Sequence, residues 1–152
     1  VPFGYINTRM KSKRIFDLAI ALPGLLILSP LLAIVAVAIR LSDGRPVLFR
    51  QTRIGYEGKP FVMYKFRTMR QHPHPEGSLI TIGQDPRITP LGRWLRRWKL
   101  DELPQLWNVI RGEMSMVGPR PEVPEYVHLY DYSQKRVLNL LPGITDPASI
   151  KY

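Results

Sequence analysis

Leu18 to Ile39 reads LAIALPGLLILSPLLAIVAVAI, twenty-two residues without a charged side chain. A straight helix of that length rises ~33 Å, enough to cross the hydrocarbon core of a bilayer. Pro30 removes a backbone N–H and crowds the preceding turn, and Pro23-Gly24 weakens the helix again. Both flanks are basic, with Arg9, Lys11, Lys13 and Arg14 before the run and Arg40 and Arg45 after it. Basic flanks favour the cytoplasmic side, here at both ends. A helix that enters the membrane over 14–40, breaks at Ser29-Pro30 and returns satisfies these constraints. The Ser29 hydroxyl suits a carbonyl freed by Pro30. A kinked spanning helix is the alternative. A buried helix of a soluble core fits less well, because no polar stripe divides the run.

The remaining ~110 residues suffice for a compact cap, and the whole chain of 152 residues suits one domain. The formal charge of +10 calls for an anionic partner: lipid headgroups, nucleic acid or a phosphorylated substrate. With no cysteine, disulfides, thiolate metal sites and a cysteine nucleophile are excluded. The basic-then-apolar order imitates a signal peptide, but the run is long and Arg40-Leu41-Ser42-Asp43 is a poor cleavage site. A start at Val1 suits a processed product or a fragment.

Beyond the apolar run, Ser42-Asp43-Gly44-Arg45-Pro46 reads as a turn. Val47–Ile54 and Phe61–Met69 read as strands of a hairpin around Gly55-Tyr56-Glu57-Gly58-Lys59-Pro60. Lys65 and Arg67 then share a strand face and can meet one anion, unless that face is simply solvated. Residues 71–86 read as a loop. Its His72-Pro73-His74-Pro75 lacks further ligands and is expected to be exposed rather than metal-binding.

Thr89-Pro90 is a helix start. Leu91, Trp94, Leu95 and Trp98 fall on one face, with Arg93, Arg96 and Arg97 opposite, as suits a short amphipathic helix at a membrane interface. Ordinary packing on a protein core is the alternative.

Leu103, Leu106, Trp107 and Ile110 have helical spacing, and Pro104 is tolerated only in a first turn. Asp101 and Glu102 therefore belong at a helix N-terminus, whose dipole favours ionised carboxylates. Ionised Asp is a nucleophile toward phosphorus, and adjacent carboxylates suit Mg²⁺. Helix capping is the plain alternative. Arg96, Arg97 and Lys99 precede the pair. Gly118-Pro119-Arg120-Pro121-Glu122 follows as a stiff loop suited to bidentate phosphate capture, with a salt bridge from Arg120 to Glu122 or Glu113 as the alternative. Arg111-Gly112 reads as a helix C-terminus.

The chain resembles the bacterial sugar transferases known as monotopic phosphoglycosyl transferases. The resemblance is carried by Lys13-Arg14-Ile15-Phe16-Asp17, Ser29-Pro30, Tyr64-Lys65-Phe66-Arg67-Thr68-Met69, Leu100-Asp101-Glu102-Leu103-Pro104-Gln105-Leu106, Gly112-Glu113-Met114-Ser115, Val117-Gly118-Pro119-Arg120-Pro121-Glu122 and Pro142-Gly143-Ile144-Thr145. It covers nearly the whole chain after residue 12. It implies transfer of a sugar 1-phosphate from a UDP-sugar to a polyprenyl phosphate, usually undecaprenyl phosphate, with release of UMP and use of Mg²⁺. The implied course is ping-pong, through a phosphosugar on Asp101, with Glu102 helping to hold the metal. Arg96 and Arg120 map to the family's arginines, and Ser29-Pro30 to its re-entrant bend. The implied location is the cytoplasmic face of a bacterial inner membrane, at the first membrane step of surface glycan assembly. Family members often continue past Pro-Gly-Ile-Thr with Gly-Trp-Ala-Gln, whereas here Asp146-Pro147-Ala148-Ser149 follows.

The expected fold is α+β and mostly helical: one catalytic domain over 1–152, with a re-entrant helix-break-helix, short interfacial helices and a small β-hairpin. The expected partners are UDP-sugar, polyprenyl phosphate and membrane lipid, without nucleic acid. The sequence leaves the oligomeric state open, a homodimer included. A non-catalytic basic peripheral membrane scaffold is the rival function, but it gives Asp101-Glu102 and Arg120 no purpose. A nucleic-acid binder conflicts with the uncharged run, and an ordinary nucleotide-sugar glycosyltransferase finds no Gly-rich loop.

Overall fold

The computed structural model describes residues 3–70 and 85–146, with side chains from Lys11 onward. The His72-Pro73-His74-Pro75 stretch and residues 147–152 lie outside the described residues. The fold is mixed α and β, about half helical, with two small sheets.

Helix α1 (Phe3–Ser42) runs without interruption through Pro23 and Pro30. The expected break at Ser29-Pro30 is thus absent from the helix itself. Pro30 has no N–H for the Leu26 carbonyl. Ser29 Oγ donates to that carbonyl at 2.7 Å and satisfies it. Packing on one seam supports the same stretch. Ala21, Leu25 and Leu28 join a core with Phe61, Met63, Leu106, Val109 and Met114. Leu32, Val35 and Ile39 join a second core with Phe66 and Leu95. These positions recur every three or four residues, so one face of the helix lies on the cap from Ala21 to Ile39. The opposite face leaves Phe16, Leu22, Leu26, Ile27, Ile34, Val37 and Leu41 exposed. No polar stripe exists because one face packs on protein and the other remains bare.

Both ends of the apolar run are fastened to the same cap. Arg14 donates to the carbonyls of Val109 and, at 2.6 Å, Ile110. These are end carbonyls of α3 (Gln105–Arg111), at the negative end of its dipole, and the Val109 carbonyl also accepts the Gly112 N–H at 3.0 Å. Asp17 is buried, and its Oδ1 accepts from Ser115 Oγ and the Met116 N–H, each at 3.0 Å. Lys13 Nζ donates to the Val117 carbonyl at 2.8 Å. At the far end, Arg67 Nη2 donates to the carbonyls of Asp43 at 2.5 Å and Gly44 at 3.1 Å.

The expected hairpin forms from β1 (Leu48–Ile54) and β2 (Pro60–Phe66), antiparallel with Leu48 opposite Phe66 and Ile54 opposite Pro60. The second strand ends three residues before the expected Met69. There the Thr68 carbonyl turns to accept the Thr89 N–H at 3.1 Å. The free edge of β2 meets Asn108, wholly buried on α3. Its Nδ2 donates to the Val62 carbonyl at 2.7 Å, and its Oδ1 accepts from the Tyr64 N–H at 3.2 Å.

Helix α2 (Pro90–Arg97) starts where expected, with Thr89 Oγ1 accepting from the Gly92 N–H at 2.9 Å. A Cβ on Gly92 would lie 2.1 Å from the Thr68 carbonyl oxygen, so only glycine permits this approach. The expected apolar face divides: Leu95 is buried in the second core with Leu91 beside it, whereas Trp94 and Trp98 are exposed. Strands β3 (Ser115–Val117) and β4 (Gly143–Thr145) pair in parallel, Ser115 against Gly143. A short helix α4 (Pro124–Val127) lies between them in sequence.

Candidate active site

Between α2 and α3 the chain makes one tight turn, and that turn carries the two carboxylates. Lys99 adopts a left-handed conformation, φ 57°, and accepts the Glu102 N–H on its carbonyl at 3.3 Å. Leu100–Glu102 forms a single 3₁₀ turn, and Pro104 then leads into α3. Leu100 packs beside the second core. Asp101 and Glu102 are thereby turned toward the β-hairpin, against a cavity of about 1230 Å³.

That cavity is strongly cationic. Nine of its lining residues are Lys or Arg: Arg50, Arg53, Lys65, Arg67, Arg70, Arg87, Arg96, Lys99 and Arg120. Asp101 and Glu102 are the two acids among them. Such a wall favours a polyanion, and the carboxylates mark where chemistry on it can occur.

The two acids differ in surroundings. Asp101 is 8% exposed, and its Oδ1 is buried with no hydrogen-bond partner. Burial, and then the charge of Glu102, push its carboxyl above the usual range, against the pull of Lys65 and Arg96. The expected stabilisation of the ionised form by a helix dipole is overridden at this position. Burial also opposes ionisation of Glu102. Lys65, then Arg120 and Lys99, outweigh it and hold that carboxyl below its usual range. Lys65 Nζ lies 2.7 Å from Glu102 Oε1, and Arg120 Nη2 lies 3.6 Å from the same oxygen.

The cations also divide. Arg96 Nε donates to Thr68 Oγ1 at 2.8 Å, which fixes its guanidinium on the cavity wall. Arg120 is half exposed and bonded to neither expected acid. Glu122 pairs with Arg53 at 3.9 Å, and Glu113 with Arg111 at 3.2 Å. Arg67 shares the cavity wall with Lys65, but its Nη2 is engaged by the Asp43 and Gly44 carbonyls, so it fastens the turn after α1.

The loop bearing Arg120 is braced on both sides. The Gly118 N–H donates to the Thr145 carbonyl at 3.0 Å, and the Gly143 N–H to the Pro119 carbonyl at 2.9 Å. A Cβ on Gly143 would lie 2.1 Å from Gly118 N. Arg53 Nη1 donates to the Pro121 carbonyl at 3.2 Å from the other side. The Pro-Gly-Ile-Thr motif is thus the support of the Gly-Pro-Arg-Pro motif.

Residues 8–152 match the family described as bacterial sugar transferase. The chain belongs to this family. It is 50% identical over 117 residues to an undecaprenyl-phosphate glucose phosphotransferase of Komagataeibacter xylinus, covering 76% of this chain and 22% of the relative. It is 44% identical over 138 residues to the uncharacterized sugar transferase EpsL of Bacillus subtilis (strain 168), covering 91% and 67%. It is 42% identical over 152 residues to the UDP-glucose:undecaprenyl-phosphate glucose-1-phosphate transferase of Escherichia coli (strain K12), covering 98% and 32%. The chain thus spans about two thirds of the shorter relative and a third or less of the longer two. The resemblance read from the motifs is borne out, and with it the transferase class.

The sugar transferase also uses residues that the motifs did not single out. Thr68 orients Arg96, Arg53 supports the Arg120 loop, and Asn108 joins α3 to the hairpin. Thr68 stood inside a quoted motif, but its partner lies 28 residues away, beyond any local signal. No cluster of three or more His, Asp or Glu side chains occurs among the described residues.

Proposed function

We propose that this sugar transferase moves a sugar 1-phosphate from a UDP-sugar to a polyprenyl phosphate, such as undecaprenyl phosphate, and releases UMP. The observation that carries this reading is the partnerless carboxylate oxygen of Asp101, beside a cavity walled by nine cations. An Asp101 oxygen attacks the phosphorus that bears the sugar. The bond from that phosphorus to the bridging oxygen breaks, and its electron pair leaves on UMP. Asp101 then holds the phosphosugar as an acyl phosphate, and the lipid phosphate takes it in a second displacement. Arg96 and Arg120 neutralise the oxygens around the reacting phosphorus. Lys65 and Lys99 offset the charge of Glu102, so that Asp101 ionises despite its burial.

A magnesium ion suits this pair. Mg²⁺ binds through one or two carboxylates together with substrate phosphates, and Asp101 Oδ1 lacks a protein partner. When bound, the ion would neutralise charge on the diphosphate, with Glu102 as its main protein ligand.

We place the protein on the cytoplasmic face of a bacterial inner membrane, at the first membrane step of surface glycan assembly. Two attachments support a monotopic α1 with both ends of its apolar run at one membrane face. Arg14 and Asp17 at one end and Asp43 at the other are bonded to the same polar cap. A spanning helix would carry one of those ends, and the cap residues bonded to it, through hydrocarbon. A scaffold role leaves the braced Arg120 and the cationic cavity unused.

The test is intact-protein mass spectrometry after incubation with a panel of UDP-sugars and no lipid acceptor. A phosphosugar adduct mapping to Asp101, lost in Asp101→Asn together with turnover, is the expected result. Ordinary turnover by Asp101→Asn would remove Asp101 from the mechanism.

A further inference from the structure

The cavity beside Asp101 is not polar throughout. Its remaining wall includes the consecutive apolar residues Pro46, Val47, Leu48 and Phe49. Phe49 stands 47% exposed. It lies directly opposite Lys65 in the hairpin register, so the two side chains share one face. Val47 and Leu48 pack against the core that Val35 and Ile39 of α1 form with Phe66 and Leu95. The wall also follows α1 closely in sequence, and the end of that helix leaves Ile34, Val37 and Leu41 exposed. An apolar path thus runs along the cavity wall from the turn after α1 to the strand face that carries Lys65. A nucleotide sugar is polar along its length and gains little from such a path. A phosphate esterified to a hydrocarbon chain needs one, because its charge belongs in the cavity and its tail in lipid.

We infer that the Pro46–Phe49 wall holds the isoprenoid units next to the phosphate of the lipid acceptor, and that Phe49 is a residue through which this enzyme selects polyprenyl phosphates. The inference rests on the function proposed above. In the step concerned, an oxygen of the acceptor phosphate attacks the phosphorus held on Asp101. The phosphorus–Oδ bond breaks, its electron pair restores the Asp101 carboxylate, and a diphosphate linkage forms. Phe49 acts in this second half-reaction and has no part in the first.

The half-reactions separate experimentally. Wild type, Phe49→Ser and Phe49→Leu are compared in lipid nanodiscs, with the UDP-sugar of fastest turnover. Adduct formation without acceptor should proceed at one rate in all three, which also shows that the variants fold. Transfer from the adduct to undecaprenyl phosphate should fall about tenfold in Phe49→Ser and stay within about twofold of wild type in Phe49→Leu. Wild-type transfer by Phe49→Ser would overturn the inference. Adduct formation slowed as much as transfer would do so too, since the ring would then serve the nucleotide. A Leu variant as poor as Ser would replace chain packing with aromatic stacking and likewise overturn it. If the wild type forms no adduct, the Asp101 reading fails. Equilibrium binding of undecaprenyl phosphate to the three proteins then decides the wall, with weaker binding in Phe49→Ser alone as the supporting result.

Discussion

Lys65 Nζ and Glu102 Oε1 stand 2.7 Å apart, joining the end of the hairpin to the turn that carries Asp101. Both side chains are largely buried, so removing one partner leaves the other charged and poorly solvated. The pair sets the charge around Asp101 and fixes the distance between strand and turn.

The pH dependence of turnover follows from this pair. Burial and the charge of Glu102 raise the Asp101 pKa, so the acid limb of the rate profile should lie above the ordinary aspartate range. Glu102→Gln removes a negative neighbour and leaves Lys65 unpaired, and both changes favour ionised Asp101. The acid limb should therefore move to lower pH while the plateau rate falls about tenfold or more. A limb that stays in place or moves upward would refute the coupling.

Arg120 projects from a loop held by Gly118, Gly143 and Arg53, so its guanidinium is presented at little entropic cost. Arg120→Ala should lower kcat/KM for the UDP-sugar about 100-fold, the scale of one lost charge-stabilising donor. Arg120→Lys should recover little, because an ammonium lacks the planar fork. Near-wild-type kinetics for the Lys variant would count against bidentate capture. Unchanged thermal melting in both variants would separate this loss from a folding defect.

Lys99 holds φ 57° where a glycine would sit without strain, yet it lines the cationic cavity beside Asp101. Lys99→Gly should raise Tm by about 2–4 °C, the shift that ~1 kcal/mol produces in a domain of this size. The same variant should lose about tenfold in turnover, having lost an ammonium that helps hold Glu102 ionised. Retained activity would reduce Lys99 to a turn residue.

The absence of cysteine makes labelling clean. Single cysteines at Lys11 and Arg45, on either side of the apolar run, should react with a membrane-impermeant maleimide only after inverted vesicles expose the cytoplasmic face. Labelling of the two sites from opposite faces would establish a spanning helix.

Local signals were legible where the chemistry was local. Thr89-Pro90 announced α2, Arg111-Gly112 announced the end of α3, and the glycine-rich turn announced the hairpin. The carboxylate turn was legible because Pro104 limits where a helix can begin. What escaped depends on residues far apart in the chain. Arg14 serves carbonyls 95 and 96 residues away, and Asp17 meets Ser115 across 98. The strand pattern of Lys65 and Arg67 predicted a shared face, but could not tell that the Asp43 carbonyl would engage Arg67. The β3–β4 pairing is three residues long, too short for a period-two pattern. Ser29-Pro30 suggested a break because a lost N–H is visible in sequence, whereas the seam supporting the helix is not.

The seam along α1 bears on how the enzyme is handled. Both cores take side chains from this helix: Ala21 in one, Val35 and Ile39 in the other. Arg14 holds the Val109 and Ile110 carbonyls at the end of α3. A truncation made to obtain a water-soluble catalytic fragment would uncover Leu106, Val109, Phe66 and Leu95 together and loosen the turn before α3. Membrane segment and catalyst are in this respect one folding unit, so solubility must be sought by recoating the outward face of α1, at Leu22, Leu26, Ile34 and Val37, and not by cutting the helix away.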